Sequence, residues 1–131
     1  MAVATCIETP TRFARRTIAN ATAVPIGTIM KLNDANTVTV SSANNDAFGG
    51  IAWEEHTASE GITEMTVAMN GVWSCTTTAA AITAGDMCSI GGANAVRATI
   101  EADLELGCIM GMNRARNTIG GGGGTVILEI D

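Results

Sequence analysis

Tyrosine is absent from the chain, and Phe13, Phe48, Trp53 and Trp73 are its only aromatic side chains. Leucine is nearly as scarce, confined to Leu32, Leu104, Leu106 and Leu128. A core without many large side chains rests on Ala, Val and Ile, and the area buried per residue falls accordingly. Part of the stability is therefore expected from subunit or partner contacts. Lys31 is the sole lysine and the formal net charge is −6, which argues against a general nucleic-acid binder built on a basic face. No stretch approaches the roughly 20 apolar residues that a membrane-spanning helix needs.

The four cysteines, Cys6, Cys75, Cys88 and Cys108, contain no CxxC pair, so neither a zinc ribbon nor a redox motif is supported. The first 22 residues lack a continuous apolar core and carry three arginines, which is unlike a secretory leader. Cys75, Cys88 and Cys108 lie in apolar runs, where a free thiol behaves as a small core side chain. Reduced, structural cysteines in a protein assembled in the cytoplasm are the expectation.

What is abundant points one way. Thirteen Ile, eight Val and 18 Thr set a β-branched bias, and 15 Gly supply turn punctuation. Branching at Cβ restricts χ1 and favours the pleated strand, so the chain reads as all-β, a small β-barrel or β-tulip domain. A length of 131 residues suits one such domain with a short arm.

The division expected is an N-terminal arm over residues 1–23 and a β domain over 24–131. The arm shows no clean period, and Pro10 interrupts any helix. It concentrates Arg12, Arg15 and Arg16, three of the seven cations, within five residues. Either these form a solvated face, or the arm docks on an acidic surface.

In the body, Val24–Leu32, Thr37–Ser41, Phe48–Trp53, Ile62–Met69 and Val72–Thr78 read as strands, followed by Met87–Ile90, Val96–Ile100, Leu106–Met112 and Thr125–Ile130. Asn70-Gly71, set between two of these runs, predicts a type I′ hairpin. Glu101–Glu105 reads as one helical turn or an acidic loop, and 113–124 as a long loop ending in five glycines.

Chemistry-bearing patterns are few. His56 is the only histidine, and its neighbours Glu54 and Glu55 supply no oriented nucleophile, so it reads as a loop residue. Gly120–Gly124 precedes a strand and no lysine follows, unlike a phosphate-binding loop. Asn33–Asn36 and Asn44–Asp46 are too short for a calcium loop and read as Asx turns. No catalytic, cofactor-binding or metal-binding residue is expected, and no enzyme activity.

The order of Pro25-Ile26-Gly27-Thr28-Ile29-Met30, Phe48-Gly49-Gly50-Ile51-Ala52 and Thr66-Val67-Ala68-Met69-Asn70-Gly71-Val72-Trp73 resembles the small capsid decoration, or cement, proteins of tailed phages. Ile82-Thr83-Ala84-Gly85-Asp86, Leu106-Gly107-Cys108-Ile109-Met110-Gly111 and Val126-Ile127-Leu128-Glu129-Ile130 continue the resemblance over roughly residues 24–131. It implies a small β-barrel or β-tulip that binds as a trimer on the outer capsid surface, stabilises contacts between capsomers of the major capsid protein, and contacts that protein through an arm. Ile7, Phe13 and Ile18 are the expected apolar anchors of the arm, with Arg12, Arg15 and Arg16 meeting acidic capsid residues. Rival expectations are another virion component, such as a head-fibre base or tail-tube-like protein, and a small β-barrel ligand-binding module.

Overall fold

The structure, a computed structural model, describes residues 3–19, 21–106 and 109–131, with only the backbone of Leu106. It is all-β. In chain order the strands are β1 (Thr5–Glu8), β2 (Phe13–Thr17), β3 (Ile29–Asp34), β4 (Thr37–Val40), β5 (Phe48–Ala52), β6 (Glu64–Ala68), β7 (Gly71–Thr77), β8 (Cys88–Gly92) and β9 (Ala95–Ala98). One helical turn, α1 (Glu101–Leu106), precedes β10 (Asn113–Ala115) and β11 (Thr125–Ile130).

Two sheets divide these strands almost in sequence order. A closed barrel runs β2-β4-β3-β5-β6, and a second sheet runs β10-β11-β7-β9-β8 with β1 added beside β7. The barrel ladders are antiparallel except for a short parallel contact at Thr17 and Thr37, where β2 meets β4. One edge of β7 carries β11 along its length; the other is shared between β1, opposite Val72–Ser74, and β9, opposite Thr76–Thr77.

Alternation along the strands makes two cores. Ile18, Val24, Met30, Val38, Ala52, Met65 and Val67 fill the barrel. A larger cluster between barrel and second sheet takes Ile29, Phe48 and Ile51 from one side and Trp73, Ile90, Val126 and Leu128 from the other. Strand β5 is buried at every position because it forms the wall between the two. Its glycines permit that: a Cβ on Gly50, whose φ is +116°, would lie 2.5 Å from Val67 Cγ2.

Four expectations are corrected. The extended arm over residues 1–23 is, where described, part of the body: β1 joins the second sheet and β2 closes the barrel against β6, from Phe13 opposite Ala68 to Thr17 opposite Glu64. Arg16, a charged residue on the inward side of β2, disguised the strand's period, and the strand's partner lies some fifty residues downstream (Arg15 opposite Thr66).

Asn70-Gly71 is not a hairpin. Strands β6 and β7 belong to different sheets, and Asn70 is not among the positive-φ residues a type I′ turn would require. The pair is instead a corner between sheets, clasped by its side chain: Asn70 Oδ1 accepts the Thr11 and Arg12 amides at 2.9 Å each, and Nδ2 donates to Thr11 Oγ1 at 2.9 Å.

The expected strand over Leu106–Met112 is reduced to a single bridge between Ile109 and Ser89, its Gly107–Cys108 part lying outside the described residues. The loop over 113–124 contains β10. There the Asn113 side chain substitutes for a strand ladder, its Oδ1 accepting the Cys88 amide at 2.7 Å and its Nδ2 donating to the Cys88 carbonyl at 3.1 Å.

Candidate functional site

Strand β2 presents alternate residues to opposite sides of the barrel wall, as the pleat dictates. Phe13, Arg15 and Thr17 face out, while Ala14 and Arg16 are half-buried and Ile18 is buried at the end of the strand. Phe13 leaves 44% of its surface exposed, although an aromatic ring that size ordinarily seeks burial. Beside it stands Trp53, just beyond β5, fixed where its amide donates to the Thr66 carbonyl of β6 at 3.1 Å.

The rings form a row from surface to core. Phe13 and Trp53 are 5.5 Å apart between centroids, and Trp53 meets Trp73 at 6.1 Å in an edge-to-face arrangement, 87° between planes. Both spacings fall in the range where aromatic pairs attract through their quadrupoles. Trp73 is buried, its indole N–H donating to the Asn70 carbonyl at 3.1 Å. An open depression of about 370 Å³ lies over this row, lined by Phe13, Ala14, Arg15, Trp53 and Thr66.

Its rim is polar and ordered. Arg15 Nη1 donates to Glu54 Oε1 at 2.7 Å and to Thr66 Oγ1 at 2.9 Å, and the same Glu54 oxygen accepts the Thr66 amide at 2.6 Å. One carboxylate oxygen thus ties Arg15 to the Thr66 main chain. The result is an apolar, aromatic floor with a fixed hydrogen-bonding edge, suited to receiving an apolar side chain of a partner.

The six expected contact residues divide. Phe13 and Arg15 sit together at this depression, and Ile7 is half exposed on β1. Arg12 donates to the carbonyls of Met69 (3.4 Å) and Asp131 (3.0 Å), pinning the link between β1 and β2 to the chain's end. Arg16 turns into the barrel, reaching the Gly49 carbonyl (3.4 Å), Asn36 Oδ1 (2.9 Å) and Met69 Sδ (3.7 Å). Ile18 is 1% exposed in the barrel core, so as an anchor to another protein it is corrected: its apolar surface is already covered. Trp53, Glu54 and Thr66 were missed, because nothing local ties the end of β5 to β2.

The buried polar side chains serve the fold. Asn94 and Asn113 bond main chain, Ser89 bonds Thr99 at 2.7 Å, and Asp103 bonds Arg97 at 2.7 Å. Burial first, and then the neighbouring Cys88 and Asp86 respectively, push the thiols of Cys75 and Cys88 up to about 12; Cys6 is raised too, by burial. Thiols so protonated are poor nucleophiles. His56, expected as a loop residue, is buried and bridged through its backbone to Val24. Among the described residues, no three His, Cys, Asp or Glu side chains gather as a metal-binding group, and no helix is long and apolar enough to cross a membrane.

No protein-family model matches the chain, and no curated protein does.

Proposed function

We propose that this protein is a structural virion component without an activity of its own, binding the outer surface of a phage capsid as a homotrimer and stabilising contacts between capsomers of the major capsid protein. The order of segments over residues 24–131 supports this reading, as does a closed barrel, which leaves no open sheet edge on that side of the molecule. The observation that carries it is the exposed Phe13–Trp53 depression. A rigid β wall holds an uncovered aromatic floor beside an ordered ion pair, which is the anatomy of an interface hot spot rather than of a solvated surface. Many identical copies on one particle would turn such modest contacts into large collective reinforcement.

The test is co-sedimentation of the purified protein with expanded capsids that lack it, followed by imaging of their surface. Saturable density at threefold positions, lost in Phe13→Asp while that variant stays folded, is the expected result. Failure to bind any capsid form would overturn the reading. Thermal stabilisation by a small apolar ligand without capsid would then favour a binding module.

A further inference from the structure

His56 belongs to none of the surfaces described above. Its backbone exchanges two hydrogen bonds with Val24, 2.8 Å from the Val24 amide to the His56 carbonyl and 2.9 Å in return. Its ring, in a residue only 2% exposed, is held between two main-chain carbonyls. Nδ1 lies 2.5 Å from the Thr22 oxygen and Nε2 lies 2.6 Å from the Ile62 oxygen.

A carbonyl oxygen only accepts. Neutral imidazole carries one N–H and one lone pair, so it can satisfy one of these oxygens while turning its lone pair on the other at contact distance. The imidazolium alone donates at both ends, and both separations are short, as charge-assisted hydrogen bonds are.

We propose that His56 is a buried imidazolium serving as a proton-controlled latch, which fastens the loop over residues 57–63 to the Thr22–Val24 segment leading into the barrel and releases it on deprotonation. The loop has reason to need fastening. All its residues are exposed, and Ser59 holds a φ of +62°, a left-handed conformation disfavoured for a residue with a Cβ. At its far end the loop meets the barrel where the Ile18 amide donates to the Thr63 carbonyl at 2.9 Å.

The charges around the ring favour the cation. The Thr22–Val24 segment carries no ionisable side chain. From the loop, Glu60 acts on the ring, its carboxylate also accepting the Thr57 amide at 3.1 Å. Of the residues preceding His56, Glu55 is exposed and Glu54 is engaged with Arg15 and Thr66. On β2, which leads into Ile18, Arg15 is turned to Glu54 and Arg16 to Asn36. The hydrogen bond to Ile62 raises the pKa of the ring most; burial opposes it, and the Thr22 bond and Glu60 add to the rise.

Because His56 is the only histidine, imidazole resonances report on it alone. Nitrogen-detected NMR of the intact protein should show both ring nitrogens protonated at neutral pH, titrating above the ordinary value of 6.5. Amide protection factors at Val24 and His56, corrected for intrinsic exchange, should hold constant below about pH 6.5, fall by at most about tenfold per pH unit from there up to the folded pKa, and level off above it, as one-proton linkage requires. In His56→Gln that pH dependence should vanish. A neutral tautomer at neutral pH, or protection independent of pH in the wild-type protein, would overturn the latch; the wild-type measurements decide the matter even if the variant fails to fold.

Discussion

The Asn94 side chain accepts the Ile29 amide at 2.7 Å across 65 residues of chain, joining the turn between β8 and β9 to the first residue of β3. Asn94 also receives help in return: its own amide donates to Ser41 Oγ at 2.9 Å, and its φ of +54° suits asparagine better than most residues. One turn of the second sheet is thereby plugged into the end of the barrel. Asn94→Ala leaves the buried Ile29 N–H without its acceptor, at a cost of about 2 kcal/mol, and adds left-handed strain that Asn94→Gly avoids. Urea unfolding should rank wild type above Asn94→Gly and Asn94→Gly above Asn94→Ala.

A buried ion pair gives a second prediction. Asp103, fully buried, bonds Arg97 at 2.7 Å and accepts the Ile100 amide at 2.9 Å, capping α1. Asp103→Ala strands a largely buried guanidinium and uncaps the turn, and should destabilise by about 3–5 kcal/mol. Replacing both partners, Arg97→Met with Asp103→Leu, should recover much of that loss, which chemical denaturation of the two variants would measure.

These two links show what was legible in the sequence and what was not. The β class and the strands at Thr37–Val40 and Thr125–Ile130 follow from β-branched alternation, the strand at Phe48–Ala52 from a short apolar run bounded by turn residues, and Phe13 and Arg15 are legible as contact candidates in the sequence. Local pattern could not reveal that Asn70-Gly71 turns a corner, since the same dipeptide serves a hairpin equally well and only the partners of β6 and β7 decide between them. Trp53 stayed hidden as a site residue for a similar reason. Its meeting with Phe13 depends on β2 pairing with β6, a contact between distant stretches that no window of sequence contains.

The place of β2 in the barrel separates two kinds of change at the N-terminal segment. Ile18→Ala opens a cavity in the barrel core and should cost about 2–4 kcal/mol. Phe13→Ala, on the exposed wall, should stay within about 1 kcal/mol of wild type while weakening partner binding. Removing residues 2–20 takes away a barrel stave and should abolish cooperative unfolding, not merely binding. Circular dichroism during thermal melts distinguishes the three.

Proton linkage at His56 sets a slope. Its folded pKa lies above the unfolded value of 6.5, so its contribution is fully present below pH 6.5 and is lost as pH rises through the folded value. Urea midpoints should therefore decline as pH rises from about 6.5 through the folded value, a range in which ordinary carboxylates do not titrate. The decline should disappear in His56→Gln.

Thiol chemistry supplies a further check. With Cys75 and Cys88 raised to about 12, their thiolate fraction at mildly alkaline pH is on the order of one in ten thousand. Brief alkylation of the native protein, read by peptide mass spectrometry, should label half-buried Cys6 well before either of them. Equal labelling of all three would require a core that opens freely.

The pairing of β1 with β7 also bears on how the chain assembles while it is being made. Every stave of the barrel lies between Phe13 and Ala68, so the barrel is complete in the nascent chain before the first residue of β7, Gly71, has been added. The strand at Thr5–Glu8 is synthesised earlier than any of them, yet its seat beside Val72–Ser74 does not exist until the barrel has left the ribosome. The first strand made thus has no sheet partner until the second sheet arrives to receive it.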